Sequence, residues 1–418
     1  MLLHFQRSKL AAVTMLAMVA VAACSDGVVA PSAAVTASPT LGQTAEPPAY
    51  GPWARIVEGT TGPGTLYAIY VPTRWNRQTV TVAHGFRDAS TPVDLRDQDG
   101  LYATRDALGA LGYAVAYSSY SENGFAVKDG AQRTHQLRGL LASNLPATPT
   151  KNYLIGYSLG GGVALTLAEK FSSQYDGALL VCGMVGGSRV QTQYLGHVRA
   201  LADAYFPGML PGNVLGVPAN TVINPMTIIG TIAPNPANQA KLLAMASTAQ
   251  TPLPIDPANF FPSLLESLIT GVSFHARGIN NIVELTHGFS PFGNTSTVYS
   301  VGTPLLPAAA LTPLLQLANA TVTRYAIDPA AEQYLSHNFT PSGDLRIPVL
   351  TVHNAYDPAV PVQHETALLN AVMTAGATDF LSQRVINRYG HCKVNAAEIS
   401  DAFGDLTSWV ATGVKPAP

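Results

Sequence analysis

Asn152-Tyr153-Leu154-Ile155-Gly156-Tyr157-Ser158-Leu159-Gly160 is the stretch of the 418-residue chain that decides its fold class. The residues before Gly156 have the apolar character of a strand, and residues 161–170 favour a helix. A serine on the sharp turn between a strand and a helix needs glycine two positions away on each side, because a Cβ there would clash. The start of the helix also directs backbone N–H groups to where an oxyanion develops. The pattern therefore predicts Ser158 as a nucleophile.

Two loops further along the chain supply the groups that a nucleophilic serine requires. Residues 347–353 predict a strand, and Asp357 follows in the loop after it. Residues 382–386 predict the next strand, and His391 lies in the following loop, before a last helix near 396–410. Loop positions of this kind suit a base and the acid that orients it. We predict His391 as the base and Asp357 as the acid.

Rival residues near these loops have simpler explanations. Asp328 and Asp344 have sequence neighbours typical of turns or helix caps. His353 and His364 flank Asp357, which is too close in sequence for either to lie across the nucleophile with the acid behind it.

The order of Ser158, Asp357 and His391 resembles the triad of the α/β-hydrolase superfamily. The resemblance covers residues 51–418 and extends to His84-Gly85-Phe86, which is similar to the H-G-x oxyanion motif. It implies that the backbone N–H groups of Phe86 and Leu159 form the oxyanion hole. Secreted bacterial esterases and lipase-like hydrolases are the relatives it suggests. The implied activity is hydrolysis of a small-molecule or polymeric carboxylic ester through an acyl-enzyme, without a metal or organic cofactor.

The remaining pattern predicts an α/β fold with a mainly parallel central sheet flanked by helices. Short β-rich runs at 65–71, 79–83 and 113–117 alternate with helical stretches at 101–111 and 131–142. Residues 186–345 form an insertion far longer than the dozen or so residues that a crossover needs, and we predict that they form a cap, or lid.

Apolar stretches of this cap have two interpretations. Its helical pieces are expected near 239–246, 260–270 and 309–317. The apolar pieces 260–262 and 305–307 either line a substrate pocket or pack within the cap. Substrate choice is expected to depend on the cap.

The composition excludes several classes of protein. The 23 basic and 25 acidic residues give a formal net charge of −2, which provides no electrostatic basis for binding nucleic acid. Hydrophobic residues make up 47% of the chain and charged residues 11%, so a large core is available and disorder of the whole chain is excluded.

The N-terminus predicts export from the cytoplasm. Residues 1–23 have the features of a signal peptide, with Arg7 and Lys9 ahead of an uncharged apolar run. The sequence Val21-Ala22-Ala23-Cys24 resembles the lipobox of bacterial lipoproteins, which implies a lipid on Cys24 and a membrane contact through that anchor alone. Ordinary cleavage and secretion are the alternative. Residues 24–50 predict a flexible tether ahead of the folded domain at 51–418.

Export to an oxidising compartment predicts a disulfide between the two remaining cysteines, Cys182 and Cys392. Two buried free thiols are the alternative. Tannases and feruloyl esterases join a cysteine before the serine to one after the histidine. Here Cys392 follows the histidine, but Tyr157 precedes the serine, so this more specific resemblance is broken.

Two other functions fit the same residues. The triad also cleaves amides, so an amidase or peptidase is one alternative. A non-catalytic surface lipoprotein that uses the fold as a binding module is the other, although three intact triad residues argue against it. The sequence leaves the oligomeric state and the acyl and alcohol specificity open.

Overall fold

The computed structural model describes residues 51–62 and 64–417. The predicted signal peptide at 1–23, Cys24 and the tether at 24–50 lie outside the described residues. Of the helices within the described ranges, none combines the length and apolar character needed to cross a bilayer.

The described residues form one eight-stranded sheet. Its strands are β1 (Trp53–Thr61), β2 (Thr65–Pro72), β3 (Gln78–Ala83), β4 (Ala114–Ser118), β5 (Lys151–Tyr157), β6 (Gly177–Val181), β7 (Val349–Tyr356) and β8 (Leu381–Tyr389). They are arranged in the order β1-β2-β4-β3-β5-β6-β7-β8. The pairs β1·β2 and β2·β4 are antiparallel, and the pairs from β4 through β8 are parallel. The carboxyl ends of β5, β7 and β8 therefore lie at one edge of the sheet.

Helices cover both faces of this sheet, as expected where parallel strands are buried on both sides. One face carries α1 (Leu101–Ala110) and α11 (Ala396–Thr412), and the other carries α2 (Val127–Ser143), α3 (Leu159–Lys170) and α10 (Gln363–Ala375). Successive strand residues alternate between these faces, so Leu154 packs in the α3 cluster and Ile155 in the α11 cluster.

The segment between β6 and β7 is a helical insertion. It contains α4 (Ser188–Tyr205), α5 (Pro225–Ile232), α6 (Pro236–Ala246), α7 (Phe260–Leu285), α8 (Ala308–Thr321) and α9 (Pro329–Asn338). Its helices share a hydrophobic cluster that includes Val198, Leu268 and Leu315.

Several elements differ from the sequence-based expectation, among them α5, α9 and α10, which it did not include. The helix expected at 260–270 continues to Leu285. Gly271 does not end this helix; it is a packing position, where a Cβ would lie 3.0 Å from Val198 Cγ1. Strand β1 was not predicted; it lies at the sheet edge and its residues are mostly exposed or half-buried, so no apolar run marks it.

Candidate active site

Ser158 lies on the turn between the end of β5 and the start of α3. Its backbone has φ 52° and ψ −120°, a conformation that residues with a side chain rarely adopt. A Cβ on Gly156 would lie 2.2 Å from the carbonyl oxygen of Gly160, and a Cβ on Gly160 would lie 2.2 Å from that of Ala83. Glycine is therefore required at both positions if the turn is to present the serine.

The structure brings Ser158, His391 and Asp357 into one hydrogen-bonded chain. His391 Nδ1 lies 2.7 Å from Asp357 Oδ2, and His391 Nε2 lies 2.9 Å from Ser158 Oγ. Because a carboxylate only accepts, Nδ1 carries the hydrogen and Nε2 faces the serine hydroxyl as an acceptor. This arrangement lets the imidazole remove the proton of the serine.

Asp357 is fully buried and both of its oxygens are engaged. Oδ1 accepts hydrogen bonds from the backbone N–H groups of Ala359 and Val360, at 2.9 and 3.0 Å. Oδ2 is thereby directed at His391. These bonds fix the orientation of the carboxyl group.

The rival histidines, His353 and His364, form hydrogen bonds with other parts of the fold and not with Ser158. His353 Nδ1 lies 3.0 Å from Glu365 Oε1, and its Nε2–H donates to the carbonyl oxygen of Val360. Burial opposes its charge, but the Glu365 carboxylate raises the pKa of His353. His364 Nδ1 accepts from the backbone N–H of Gly186, and burial lowers the pKa of His364 to about 3.

The rival acids also have structural partners. The side chain of Asp328 accepts from the backbone N–H of Ala330 and caps the first turn of α9. Asp344 forms an exposed ion pair with Arg346 at 2.9 Å.

The loop after β3 passes directly over Ser158. A Cβ on Gly85 would lie 3.1 Å from Ser158 Cβ, and the next residue, Phe86, lines the same cavity as Ser158 and Leu159. His84 shapes this loop: its Nδ1 lies 2.8 Å from the carbonyl oxygen of Gly85 and its ring stacks on Tyr120 at 3.8 Å. Burial lowers the pKa of His84 to about 3, which keeps it neutral near pH 7.

A disulfide joins Cys182, directly after β6, to Cys392, the residue after His391. The pairing expected from the sequence is thus present, and it ties the histidine loop to the sheet. Within the described ranges, the His, Cys, Asp and Glu side chains close enough to share a metal ion are Cys182, His391 and Cys392. Since the two sulfurs are bonded to each other, neither is a thiolate ligand.

A cavity bordered by Ser158 lies between the core of the fold and the helical insertion. Its walls come from the core and from the insertion, and the side chains are mainly apolar: Phe86, Phe125, Leu159, Met184, Leu195, Val214, Phe274, Ile279, Ile282 and Phe292. The pieces 260–262 and 305–307 do not line this cavity, and Phe261, Leu305 and Leu306 pack against the cluster of the insertion. Phe260 is exposed and, with Leu305, lines a second cavity that Asp357 also borders, so these pieces contribute both to internal packing and to a cavity wall.

No family model matches the chain, and no curated protein matches it. Among solved structures, an esterase from Aspergillus oryzae is 13% identical, with 84% of this chain and 78% of that chain covered and a TM-score of 0.49. Feruloyl esterase B from the same organism is 14% identical, with 86% and 80% covered and a TM-score of 0.47. A carboxyl esterase from Bacillus coagulans is 15% identical, with 86% and 99% covered and a TM-score of 0.39.

The strand order itself identifies the architecture, independently of any one relative. A mainly parallel eight-stranded sheet carries a serine turn after β5, an acid after β7 and a histidine after β8. The order serine, acid, histidine along the chain is that of α/β-hydrolases. The chain has the α/β-hydrolase fold.

Proposed function

We propose that this protein is a serine hydrolase that cleaves carboxylic esters through an acyl-enzyme intermediate. The observation that carries the proposal is the chain of hydrogen bonds from Asp357 through His391 to Ser158 at the mouth of an apolar cavity. A nucleophile, its base and the group that orients the base are the minimum set for acyl transfer.

The first half-reaction forms the acyl-enzyme. His391 Nε2 accepts the proton of Ser158 as Oγ attacks the ester carbonyl, and the carbonyl π-electron pair moves onto oxygen. The backbone N–H groups of Leu159 and Phe86 stabilise this oxyanion, with the positive end of the α3 dipole behind the first of them. When the intermediate collapses, the carbon–oxygen ester bond breaks and His391 gives its proton to the departing alcohol.

The second half-reaction returns the enzyme to its resting state. His391 takes a proton from water, the hydroxide attacks the acyl carbon, and the serine oxygen leaves with that proton. Asp357 remains a carboxylate throughout and stabilises the imidazolium that forms in each half. Ester and water are thereby converted to acid and alcohol without any other reactant.

The proposal extends to the site of action, which we place outside the cytoplasm. The disulfide between Cys182 and Cys392 supports this, because such bonds persist in oxidising compartments. Cys24 is the proposed lipid anchor, and secretion after cleavage is the alternative. Mass spectrometry of the mature N-terminus separates the two, since only the anchored form carries acyl groups on Cys24.

The test is hydrolysis of p-nitrophenyl esters from acetate to palmitate, together with one aryl amide. Wild type, Ser158→Ala and a control, Ser408→Ala at an exposed position of α11, are compared. We expect ester turnover in wild type and control, and its loss in Ser158→Ala together with loss of labelling by an organophosphate. Cleavage of the amide alone would indicate an amidase, and absence of both turnover and labelling would indicate a binding module.

A further inference from the structure

His353 of β7 and Glu365 of α10 form a buried pair next to Asp357. They are 0% and 5% exposed, and His353 Nδ1 lies 3.0 Å from Glu365 Oε1. His353 Nε2 lies 3.7 Å from Asp357 Oδ2, the same oxygen that faces His391. One carboxylate oxygen therefore lies near two imidazole rings. The mechanism above uses only one of these rings, and the second requires an explanation of its own.

The hydrogen bonds of His353 determine its protonation state. Nε2 lies 2.8 Å from the backbone carbonyl oxygen of Val360, and because a carbonyl only accepts, Nε2 carries a hydrogen. Nδ1 faces the carboxylate of Glu365, and the proton between them belongs to the imidazole, which is the stronger base. With a hydrogen on both nitrogens, the ring of His353 is an imidazolium.

Glu365 is held in place as the partner of this imidazolium. Its Oε2 accepts from the hydroxyl of Thr351 and from the side-chain amide of Gln383, each at 2.6 Å, which leaves Oε1 for His353. Burial opposes a charge on His353, but the bond to Glu365 and the charges of Glu365 and Asp357 outweigh burial and raise the pKa of His353. A buried ion pair persists where further hydrogen bonds of this kind satisfy its remaining lone pairs.

The other titratable side chains packed around Asp357 and this pair carry no charge near pH 7. Burial lowers the pKa of His364, the neighbour of Glu365 on α10, to about 3. Tyr194 of α4 and Tyr389 of β8 both interact with the charge of Asp357, and burial raises the pKa of each phenol. None of these three groups can take the place of a cation beside Asp357.

A carboxylate at Asp357 is a fully buried charge, and such a charge requires a counterion. Among the described residues, its ion-pair partners are His353 and His391. His391 must be neutral before the reaction if it is to accept the proton of Ser158. The imidazolium of His353 then compensates the carboxylate. Without that charge, a proton on His391 would compensate it instead, and His391 could not act as the base.

Building on the ester hydrolysis proposed above, we propose that His353 is a positioning residue of the triad. Glu365 holds it as an imidazolium, whose charge compensates Asp357 and keeps His391 available as the base in mildly acidic solution. The hydrogen bond to the Val360 carbonyl adds to this role, because the backbone N–H of Val360 donates to Asp357 Oδ1.

The first experiment measures kcat/KM for p-nitrophenyl acetate between about pH 4 and pH 9, with p-nitrophenol read at its isosbestic wavelength. The double variant His353→Gln, Glu365→Gln removes both charges and keeps a donor and an acceptor at each position. We expect the pH of half-maximal kcat/KM on the acid side to rise by about one unit, with kcat at higher pH within about threefold of wild type. A merely structural role would lower kcat at every pH and leave this midpoint unchanged.

Lys151→Gln together with Asp176→Asn is the matched control. It also removes one charge of each sign, from an ion pair of 2.9 Å at the start of β5. Ser158 follows the other end of that strand, so we expect the pH profile of the control to coincide with that of wild type.

NMR of protein labelled with ¹⁵N in its histidine rings tests the charge of His353 without turnover. We expect wild type to show, near pH 8, a ring that carries hydrogens on both nitrogens and that is absent from the double variant. In Glu365→Gln alone, the same ring should become neutral, because its counterion has been removed.

The outcomes separate this inference from the function on which it rests. A neutral His353 in wild type, or an acid-side midpoint that does not move in the double variant, would overturn the inference and leave the esterase proposal intact. Absence of Ser158-dependent turnover in wild type would instead reject the proposed function, while the spectra would still report the charge of His353. If the double variant does not fold, the spectra of wild type and Glu365→Gln decide.

Discussion

The turn at Ser158 and the helical insertion border the same cavity, but the sequence specifies them in different ways. At the turn, backbone atoms lie so close together that neither Gly156 nor Gly160 has room for a side chain. Ser158 adopts a strained φ between them. At the cavity wall of the insertion, Gly196 approaches a side chain, and the Phe292 ring is the neighbour that would have to move.

The difference indicates which residues determine the reaction and which determine the choice of substrate. The groups proposed to be catalytic depend on few positions that tolerate no substitute, because carbonyl oxygens and strand ends cannot move aside. The cavity depends on many apolar residues that can be exchanged at modest cost, as in other cores. Substitutions in the first region should abolish turnover, and those in the second should change which ester is preferred.

The largest expected effect tests the first half of this comparison. Asp357→Asn keeps the size of the side chain but removes the charge that stabilises the imidazolium, and we expect kcat to fall by about 10⁴ with the fold retained. Steady-state kinetics and thermal unfolding measure the two effects. Asp344→Asn, at an exposed ion pair, is the control. Undiminished kcat in Asp357→Asn would show that another acid orients His391.

The next effect concerns the bond between the histidine loop and the sheet. Replacing both Cys182 and Cys392 with alanine opens a loop spanning 210 residues, and we expect the free energy of unfolding to fall by about 2–5 kcal/mol. Urea unfolding measures it. Wild type treated with a thiol reductant should match the variant. If stability is unchanged while kcat falls, the bond serves only to position His391.

A smaller effect concerns His364, whose hydrogen bonds connect α10 to the helical insertion. His364 of α10 accepts from Gly186 and donates to Gln191 of the insertion. Its folded-state pKa of about 3 is below the unfolded value of 6.5, so the unfolded chain takes up the proton first as pH falls. The stability due to this group is complete above pH 6.5 and is lost on acidification, with about 2 kcal/mol gone at pH 5.

His364→Gln removes this titration and is the variant that measures it. The loss of unfolding free energy between pH 7.5 and pH 5 should be about 2 kcal/mol smaller than in wild type. His337→Gln makes the same substitution at an exposed position of α9. Equal losses in wild type and His364→Gln would mean that His364 is protonated in the folded protein.

The smallest effect tests the second half of the comparison. A Cβ on Gly196 would lie 2.2 Å from Phe292 Cδ2, and both residues line the cavity. In Gly196→Ala we expect the ring to move into the cavity, so that kcat/KM falls by about tenfold for long acyl chains, or ~1.4 kcal/mol, and little for acetate. Gly139→Ala, on α2 with nothing within 4 Å, is the control. A uniform loss over all chain lengths would place the damage at the triad instead.

The difference between the turn at Ser158 and the insertion explains which parts of the structure could be predicted from the sequence alone. Ser158, Asp357 and His391 could be found because each comes soon after a stretch that predicts a strand, and because the turn at Ser158 requires glycines that the sequence contains. The disulfide could be predicted because assigning Cys24 to a signal sequence leaves a single pair of cysteines.

The cavity could not be predicted in the same way. Phe274 and Phe292 line it, yet nothing distinguishes them in sequence from the apolar residues of the insertion core. Which face of α7 meets the triad depends on how α4 and α7 pack, and that contact joins residues far apart in the chain.

The distance along the chain between the catalytic groups has a consequence for the time at which activity appears during synthesis. Ser158 and His391 are 233 residues apart. At about 5–20 residues per second, the histidine leaves the ribosome roughly 10–50 s after the serine. During that interval the nascent chain carries Ser158 without His391. Cys182 is likewise without Cys392 until the end of nearly the same interval.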